Sequence, residues 1–173
     1  MTDNKPIVQV NRVRQVCVVV NDIQRAMEQY WNTLGIGPWL RYDFEPPRLT
    51  NTTLHGNRQP YSMKLALAEI GPPDHEVMWE LVEPMEGPSI YKEFLERHGE
   101  GLQHAWFMTD ESFDDSAKAM ADHGISIIQS GNYAGSRYAY LDTEEHLSMV
   151  AEIVDWPDGW DLPAPDGIWP PQG

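Results

Sequence analysis

The sequence predicts an α+β fold of two tandem βαβββ modules, and three observations predict it. Segments with strand and helix patterning alternate in the order βαβββ, and after a short helical linker the same order returns. Gln15 superimposes on His104 at an offset of 89 residues, and the glycines that close the following helices, Gly35 and Gly124, keep that offset, each followed by isoleucine (Ile36, Ile125). The last strands also correspond, Glu80-Leu-Val-Glu83 with Glu152-Ile-Val-Asp155. A repeat in register at this many places marks a duplicated unit.

Residues 1–11 read as an irregular arm, and 12–84 as the first module. Val13 to Val20 is β-branched and apolar, hence a strand. Asn21 and Asp22 are helix-capping residues. Ile23, Ala26, Met27, Tyr30, Trp31 and Leu34 then recur at the spacing of one helical face, and Gly35 stops the helix. Gly37–Phe44 reads as a strand broken by Pro46-Pro47, and residues 48–60 as a polar loop or frayed strand. Tyr61–Ile70 and Glu76–Val82 are strands joined by the turn Gly71-Pro72-Pro73-Asp74.

Residues 85–100 form a linker whose helix carries Tyr91, Phe94, Leu95 and His98 on its apolar face, with Pro88 at its start. The second module spans 101–156. Leu102–Thr109 is its first strand. Its helix presents Phe113, Ala117, Met120 and Ala121 inward, with Asp110 at the cap. Ile125–Gln129, Arg137–Leu141 and Leu147–Val154 are its remaining strands, separated by turns at Gly131-Asn132 and Asp142–Glu145. Residues 157–173 hold Pro157, Pro163, Pro165, Pro170 and Pro171 with Trp160 and Trp169. Prolines bar regular helix or sheet interior, and the tryptophans favour an arm that packs over the sheet or a partner.

Composition narrows the function. The net charge of −15 argues against nucleic acid and anionic membrane as partners, because phosphate binding needs clustered Lys and Arg. No apolar run is long enough to span a bilayer. The start lacks a basic-then-apolar leader, and the one cysteine, Cys17, precludes an internal disulfide, so a cytoplasmic protein is the expectation.

The repeat singles out four polar positions among apolar neighbours. Gln15 and His104 lie on the first strand of each module, and Glu80 and Glu152 on the last. A lone histidine on such a strand is as readily a core residue satisfied by a hydrogen bond as a ligand. Two buried carboxylates are costly unless paired or metal-bound. Oxygen donors with one imidazole, converging at a pseudo-twofold axis, suit Zn, Mn, Co, Ni or Fe(II). The other histidines, His55, His75, His98, His123 and His146, fall in turns, helices or loops and read as surface residues. Trp39, Trp106, Tyr138 and Tyr140 are candidates to line an aromatic substrate pocket. Arg12, Arg14, Arg41, Arg58 and Arg137 are candidates for anion contacts but read more naturally as surface charges.

These residues carry a resemblance. Val16-Cys-Val-Val-Val-Asn-Asp-Ile23, Leu34-Gly-Ile-Gly-Pro-Trp39, Trp79-Glu-Leu-Val-Glu-Pro84, Gly101-Leu-Gln-His-Ala-Trp-Phe107 and Val150-Ala-Glu-Ile-Val154 resemble the vicinal oxygen chelate superfamily (the glyoxalase/bleomycin resistance/dioxygenase fold), over roughly residues 12–156. The likeness is to its methylmalonyl-CoA-epimerase-like or glyoxalase-I-like branch. It implies a cupped, mostly antiparallel sheet around a central metal site, with one ligand from the first and one from the last strand of each module: Gln15, Glu80, His104 and Glu152. The epimerases usually carry His at the first position, so Gln15 departs from them, and the set is that of a zinc-type glyoxalase I.

The resemblance further implies a metal-dependent isomerase or lyase. Such enzymes chelate substrate oxygens on one divalent ion, Zn first with Ni, Co and Mn as alternatives, and move a proton alpha to a carbonyl. Glu152 is the first candidate for the base and Glu80 the second. An aromatic, weakly basic pocket points to a small organic, possibly aromatic, substrate rather than a coenzyme A thioester. The rival classes are a non-catalytic binding or resistance protein on the same fold, which would lose the ligands, and an iron-dependent ring-cleaving dioxygenase, which would need two histidines. A homodimer is the expected assembly.

Overall fold

A computed structural model describes residues 5–171. The first four residues of the expected N-terminal arm and the last two of the tail lie outside them. The first module contains β1 (Val10–Val19), α1 (Ile23–Leu34), β2 (Trp39–Phe44), β3 (Leu49–Leu54), β4 (Asn57–Arg58), β5 (Met63–Ile70) and β6 (Val77–Pro84). The linker helix is α2 (Ile90–His98). There follow β7 (Gly101–Thr109), α3 (Phe113–Asp122), β8 (Ile127–Tyr133), β9 (Ser136–Leu141), α4 (Glu144–Leu147), β10 (Val150–Asp155) and β11 (Gly167–Trp169).

The strands form one open sheet in the order β11-β2-β5-β6-β1-β7-β10-β9-β8-β3-β4. Only β1–β6 and β7–β10 pair in parallel, so the sheet is mostly antiparallel, as the duplicated α+β fold requires. The first strands of the two modules, β1 and β7, meet antiparallel at the centre. In their register Val16 faces Ala105, the residue 89 positions further on, so the pseudo-twofold axis passes between these two.

Side chains alternate across a strand, and the sheet therefore has an inner and an outer face. The outer face is covered by two helices. Val18, Val20, Trp39, Ala66 and Leu81 pack beneath Ile23, Ala26 and Met27 of α1. Ala139, Leu141, Ala151 and Ile153 pack beneath Phe113, Ala117 and Met120 of α3. Both helices start at capping side chains: Asp22 accepts from the amide of Arg25, and Ser112 from that of Asp115. The inner face holds the largest cluster, including Cys17, Tyr42, Leu65, Val82, Tyr138 and Tyr140. Helix α2 closes one end of it with Ile90 and Tyr91, and the Ile90 amide donates to Gln129 Oε1 at 3.0 Å.

Three segments differ from the sequence reading. Residues 48–60, read as a polar loop or frayed strand, are strand: β3 and β4 form a hairpin that leaves its own module and pairs with β8 of the other. Its turn places His55 and Gly56 at φ 46° and 79°, the two positive dihedrals that a tight right-twisted hairpin demands. Gly131 and Asn132 lie inside β8 and not in a turn, which falls at Ala134-Gly135. Gly131 is used for close approach: a Cβ there would meet the Tyr138 hydroxyl at 2.5 Å. The expected turn Asp142–Glu145 runs into the short helix α4.

The tail packs back over the sheet. Gly167–Trp169 pairs with β2 at the sheet edge, Asp166 takes Arg48 at 2.7 Å and the Asp43 amide at 2.8 Å, and Leu162 reaches the inner cluster. Among the described residues, no helix is long and apolar enough to cross a membrane.

Candidate active site

Alternation along four adjacent strands brings the polar positions to the inner face. Cys17 on β1 stands opposite Glu80 on β6 and opposite His104 on β7. Gln15 stands opposite Trp106, and Trp106 opposite Glu152 on β10. Glu80, His104 and Glu152 thus come together within one chain, and Gln15 lies one inward position further along β1 from Cys17. Gln15, Glu80, His104 and Glu152 are all buried.

The geometry is close. His104 Nε2 lies 3.1 Å from Glu80 Oε2 and 3.5 Å from Glu152 Oε2. On its other side, His104 Nδ1 donates to Gln103 Oε1 at 2.5 Å. That bond fixes the ring with Nε2 toward the two carboxylates, the arrangement by which a neighbouring acceptor orients a ligating histidine. Glu80 Oε2, Glu152 Oε2 and His104 Nε2 are nevertheless buried with no hydrogen-bond partner of acceptable geometry. Such groups cost free energy unless something satisfies them. Three orphaned donor atoms of carboxylate and imidazole type, aimed at one point, fit a divalent cation.

Burial is the main force on the acid–base properties here. It raises the Glu152 carboxyl to about 7, against the His104 imidazole, which lowers it, and with the Glu80 carboxylate adding to the rise. Burial, then Glu80, raises the Cys17 thiol well above its ordinary value. The inner-face phenols of Tyr91, Tyr138 and Tyr140 are likewise raised by burial and stay protonated at neutral pH. They form hydrogen-bonded pairs: Tyr91 donates to the Tyr140 hydroxyl at 2.7 Å, while the Tyr61 and Tyr138 hydroxyls lie 2.7 Å apart.

Above these groups opens a small cleft of about 60 Å³. Gln15, Glu80 and Glu152 contribute polar atoms to it, and Trp106, Tyr138 and Tyr140 its aromatic wall. The tail completes it. Trp156 stacks on Trp106 with ring centroids 5.5 Å apart, and Trp160 meets Trp156 edge-on at 4.4 Å while donating to the Ala134 carbonyl at 2.8 Å. No lysine or arginine lines this cleft among the described residues.

Trp39, expected in the pocket, is not there. Parity along β2 sends Tyr42 and Phe44 inward and Trp39 outward, where it packs beneath α1, 6.1 Å from the Tyr30 ring. Residue type suggested a pocket wall, but face is set by register. Sequence reasoning also passed over Cys17, although its position two residues after Gln15 on one strand already placed both on one face. It did not assign Trp156 and Trp160 to the cleft, for which no local signal exists. All five remaining histidines are exposed.

Fold and site together define a class: a duplicated βαβββ protein with buried carboxylates and an imidazole where its two halves meet. A family model for the glyoxalase/bleomycin resistance protein/dioxygenase superfamily matches residues 14–140, and the chain belongs to that superfamily. It is 24% identical over 151 residues to the uncharacterized protein YqjC of Bacillus subtilis (strain 168), a match covering 84% of this chain and 93% of that one. Among solved structures it is similar to a Streptomyces coelicolor methylmalonyl-CoA epimerase variant in complex with 2-nitronate-propionyl-CoA (20% identity, TM-score 0.60, 90% of this chain and 100% of that one). It is also similar to methylmalonyl-CoA epimerase from Mycobacterium tuberculosis (18%, 0.60, 90% and 95%). A hypothetical protein from Bacillus halodurans C-125 matches at 19% with a TM-score of 0.63, covering 87% and 98%. At these identities the likeness to solved structures is one of fold.

Proposed function

We propose that this protein is a divalent-metal-dependent isomerase that moves a proton on the carbon alpha to a carbonyl of a small, apolar, preferably aromatic substrate. The observation that carries the reading is the cluster of Glu80 Oε2, His104 Nε2 and Glu152 Oε2, buried together within 3.5 Å of the ring nitrogen yet without a hydrogen bond of acceptable geometry. Gln15, Glu80, His104 and Glu152 are the residues to hold the cation, zinc first. A cation bound there supplies Lewis acidity toward substrate oxygens.

The rest is done by the chain. Gln103 fixes the orientation of His104. Glu152, 3.5 Å from the ring nitrogen, is the group to take and return the proton. Glu80, from the other module, approaches the same ring nitrogen at 3.1 Å. The buried Tyr140 hydroxyl, whose oxygen accepts from Tyr91, keeps its own proton available to the Glu152 carboxylate. Trp106, Tyr138, Trp156 and Trp160 exclude water and grip a flat apolar group. The absence of basic residues from the cleft lining disfavours the phosphates of coenzyme A and the carboxylates of glutathione.

The test has two arms. Protein purified without chelator is analysed for metals beside His104→Ala, with about one Zn, Ni, Co or Mn per chain expected and its loss in the variant. Solvent deuterium incorporation is then followed by NMR in a panel of aryl α-hydroxyketones and aryl-substituted β-ketoacids, with and without the metal. Exchange that needs both metal and Glu152 supports the reading. No metal bound on titration, with tight binding of the same compounds unchanged by chelator, would leave a binding protein instead.

A further inference from the structure

The thiol of Cys17 takes no part in the reading above, yet it occupies the centre of the site. Cys17 is fully buried, and it faces Glu80 on one side and His104 on the other. Its sulfur, a Glu80 carboxylate oxygen and a His104 ring nitrogen all lie within 4.8 Å of one another. Gln15, by contrast, is opposite Met78 and Trp106, one inward position further along β1. Two of the atoms around the sulfur, Glu80 Oε2 and His104 Nε2, are themselves buried without partners.

We propose that Cys17 is a metal ligand, so that the cation is held by the Cys17 thiolate, Glu80 and His104. This rests on the metal-dependent reading of the site and alters its donor set. Zinc bonds thiolate at about 2.3 Å and imidazole or carboxylate at about 2.0–2.2 Å, which puts tetrahedral ligand atoms about 3.3–3.7 Å apart. From a spread of at most 4.8 Å, the three donors need to close in by no more than about 1.5 Å to reach that spacing. As the sulfur–metal bond forms, the thiol proton leaves to solvent.

Three protein ligands leave a position open for a substrate oxygen, the usual form of a catalytic zinc site. Glu152, the more distant carboxylate from His104 Nε2 at 3.5 Å, is then free of the metal and able to carry the proton. Gln15 becomes a cleft residue that meets the substrate. A thiolate also biases the site toward Zn(II) and Co(II) and away from Mn(II).

Cobalt reports this directly. Chelator-stripped protein is titrated with Co(II), and the spectrum is followed in the visible, where bound cobalt absorbs, and in the near ultraviolet, where thiolate-to-cobalt charge transfer absorbs. The wild type is expected to show both. Cys17→Ser is expected to keep the visible bands with affinity at least about tenfold weaker and to lose the charge-transfer band, because removing even a supporting partner of a ligand costs that much. Gln15→Ala is expected to keep the charge-transfer band. Visible bands without charge transfer in the wild type overturn the role of Cys17 and leave the metal reading standing. No cobalt bound at all overturns both. The wild-type spectrum decides the question even where the variants fail to fold.

Discussion

Glu152→Gln separates the stability cost of this site from its use. The Glu152 carboxyl is raised from 4.5 to about 7, chiefly because burial disfavours its charge. Its folded-state value lies above its unfolded one, so between those values the native state holds the proton more tightly than the unfolded chain does. The metal-free protein therefore loses stability as pH rises through that window. Below about pH 4.5 the penalty is absent, and above about pH 7 it is complete. At 1.36 kcal/mol per pH unit the whole cost is about 3 kcal/mol. The side chain is about 5% exposed, so little solvent screening reduces it. Glutamine has nearly the shape of the protonated acid and cannot ionise. In chelator, wild type and Glu152→Gln should be of similar stability at pH 5, and by pH 8 the variant should have gained up to about 3 kcal/mol on the wild type. For a chain of this length that is about 6–12 °C in Tm, and urea unfolding at the two pH values measures it. A pH-independent difference would refute the argument. It would mean either that water reaches the carboxylate or that an imidazolium on His104 compensates it.

Three further outcomes follow from the same geometry. Zinc at a hundredfold excess over its Kd should raise stability by about 2.7 kcal/mol, about 5–11 °C in Tm, and chelator should remove the gain; scanning calorimetry with and without metal checks it. Trp156→Ala should strip the stacked partner from Trp106 and raise KM for an aromatic substrate about 2–12-fold, the equivalent of 0.5–1.5 kcal/mol, with little change in kcat. Gly131→Ala forces a methyl group against the Tyr138 hydroxyl, and an overpacking cost of about 1–3 kcal/mol should appear in the urea midpoint, relieved in the double variant with Tyr138→Phe.

The fold was legible because duplication writes itself into the sequence twice. An offset of 89 aligned the first strands, the helix-ending glycines and Gln15 with His104, the last strands with Glu80 and Glu152 followed at an offset of 72, and the structure puts Val16 against Ala105 on the axis that the offset of 89 implies. The elements that were not legible are those whose partners are remote. The hairpin of β3 and β4 is polar on its exposed side and finds its pairing in β8, far along the chain. Trp39 was placed by its chemistry, whereas its face follows from strand parity that a proline-flanked segment leaves ambiguous. The tail's tryptophans pack against the cleft through contacts that no local pattern encodes.

What the axis cannot supply is a difference between its two sides, and the chemistry needs one. The position equivalent to Cys17 in the second module is Trp106. Cys17 faces Glu80 on its parallel neighbour as Trp106 faces Glu152 on its own. On one side the pair is thiol and carboxylate, both buried. On the other it is an indole and a carboxylate, and the indole is stacked beneath Trp156 at the cleft. Symmetry thus delivers two similar carboxylates to one histidine, and on the proposed reading one unequal pair gives them different work: the Glu80 side, with a sulfur beside it, would hold a cation, and the Glu152 side, walled by aromatic rings, would meet the substrate. Exchanging the pair, Cys17→Trp with Trp106→Cys, should therefore abolish substrate binding even if a metal still binds, whereas two interchangeable halves would tolerate it.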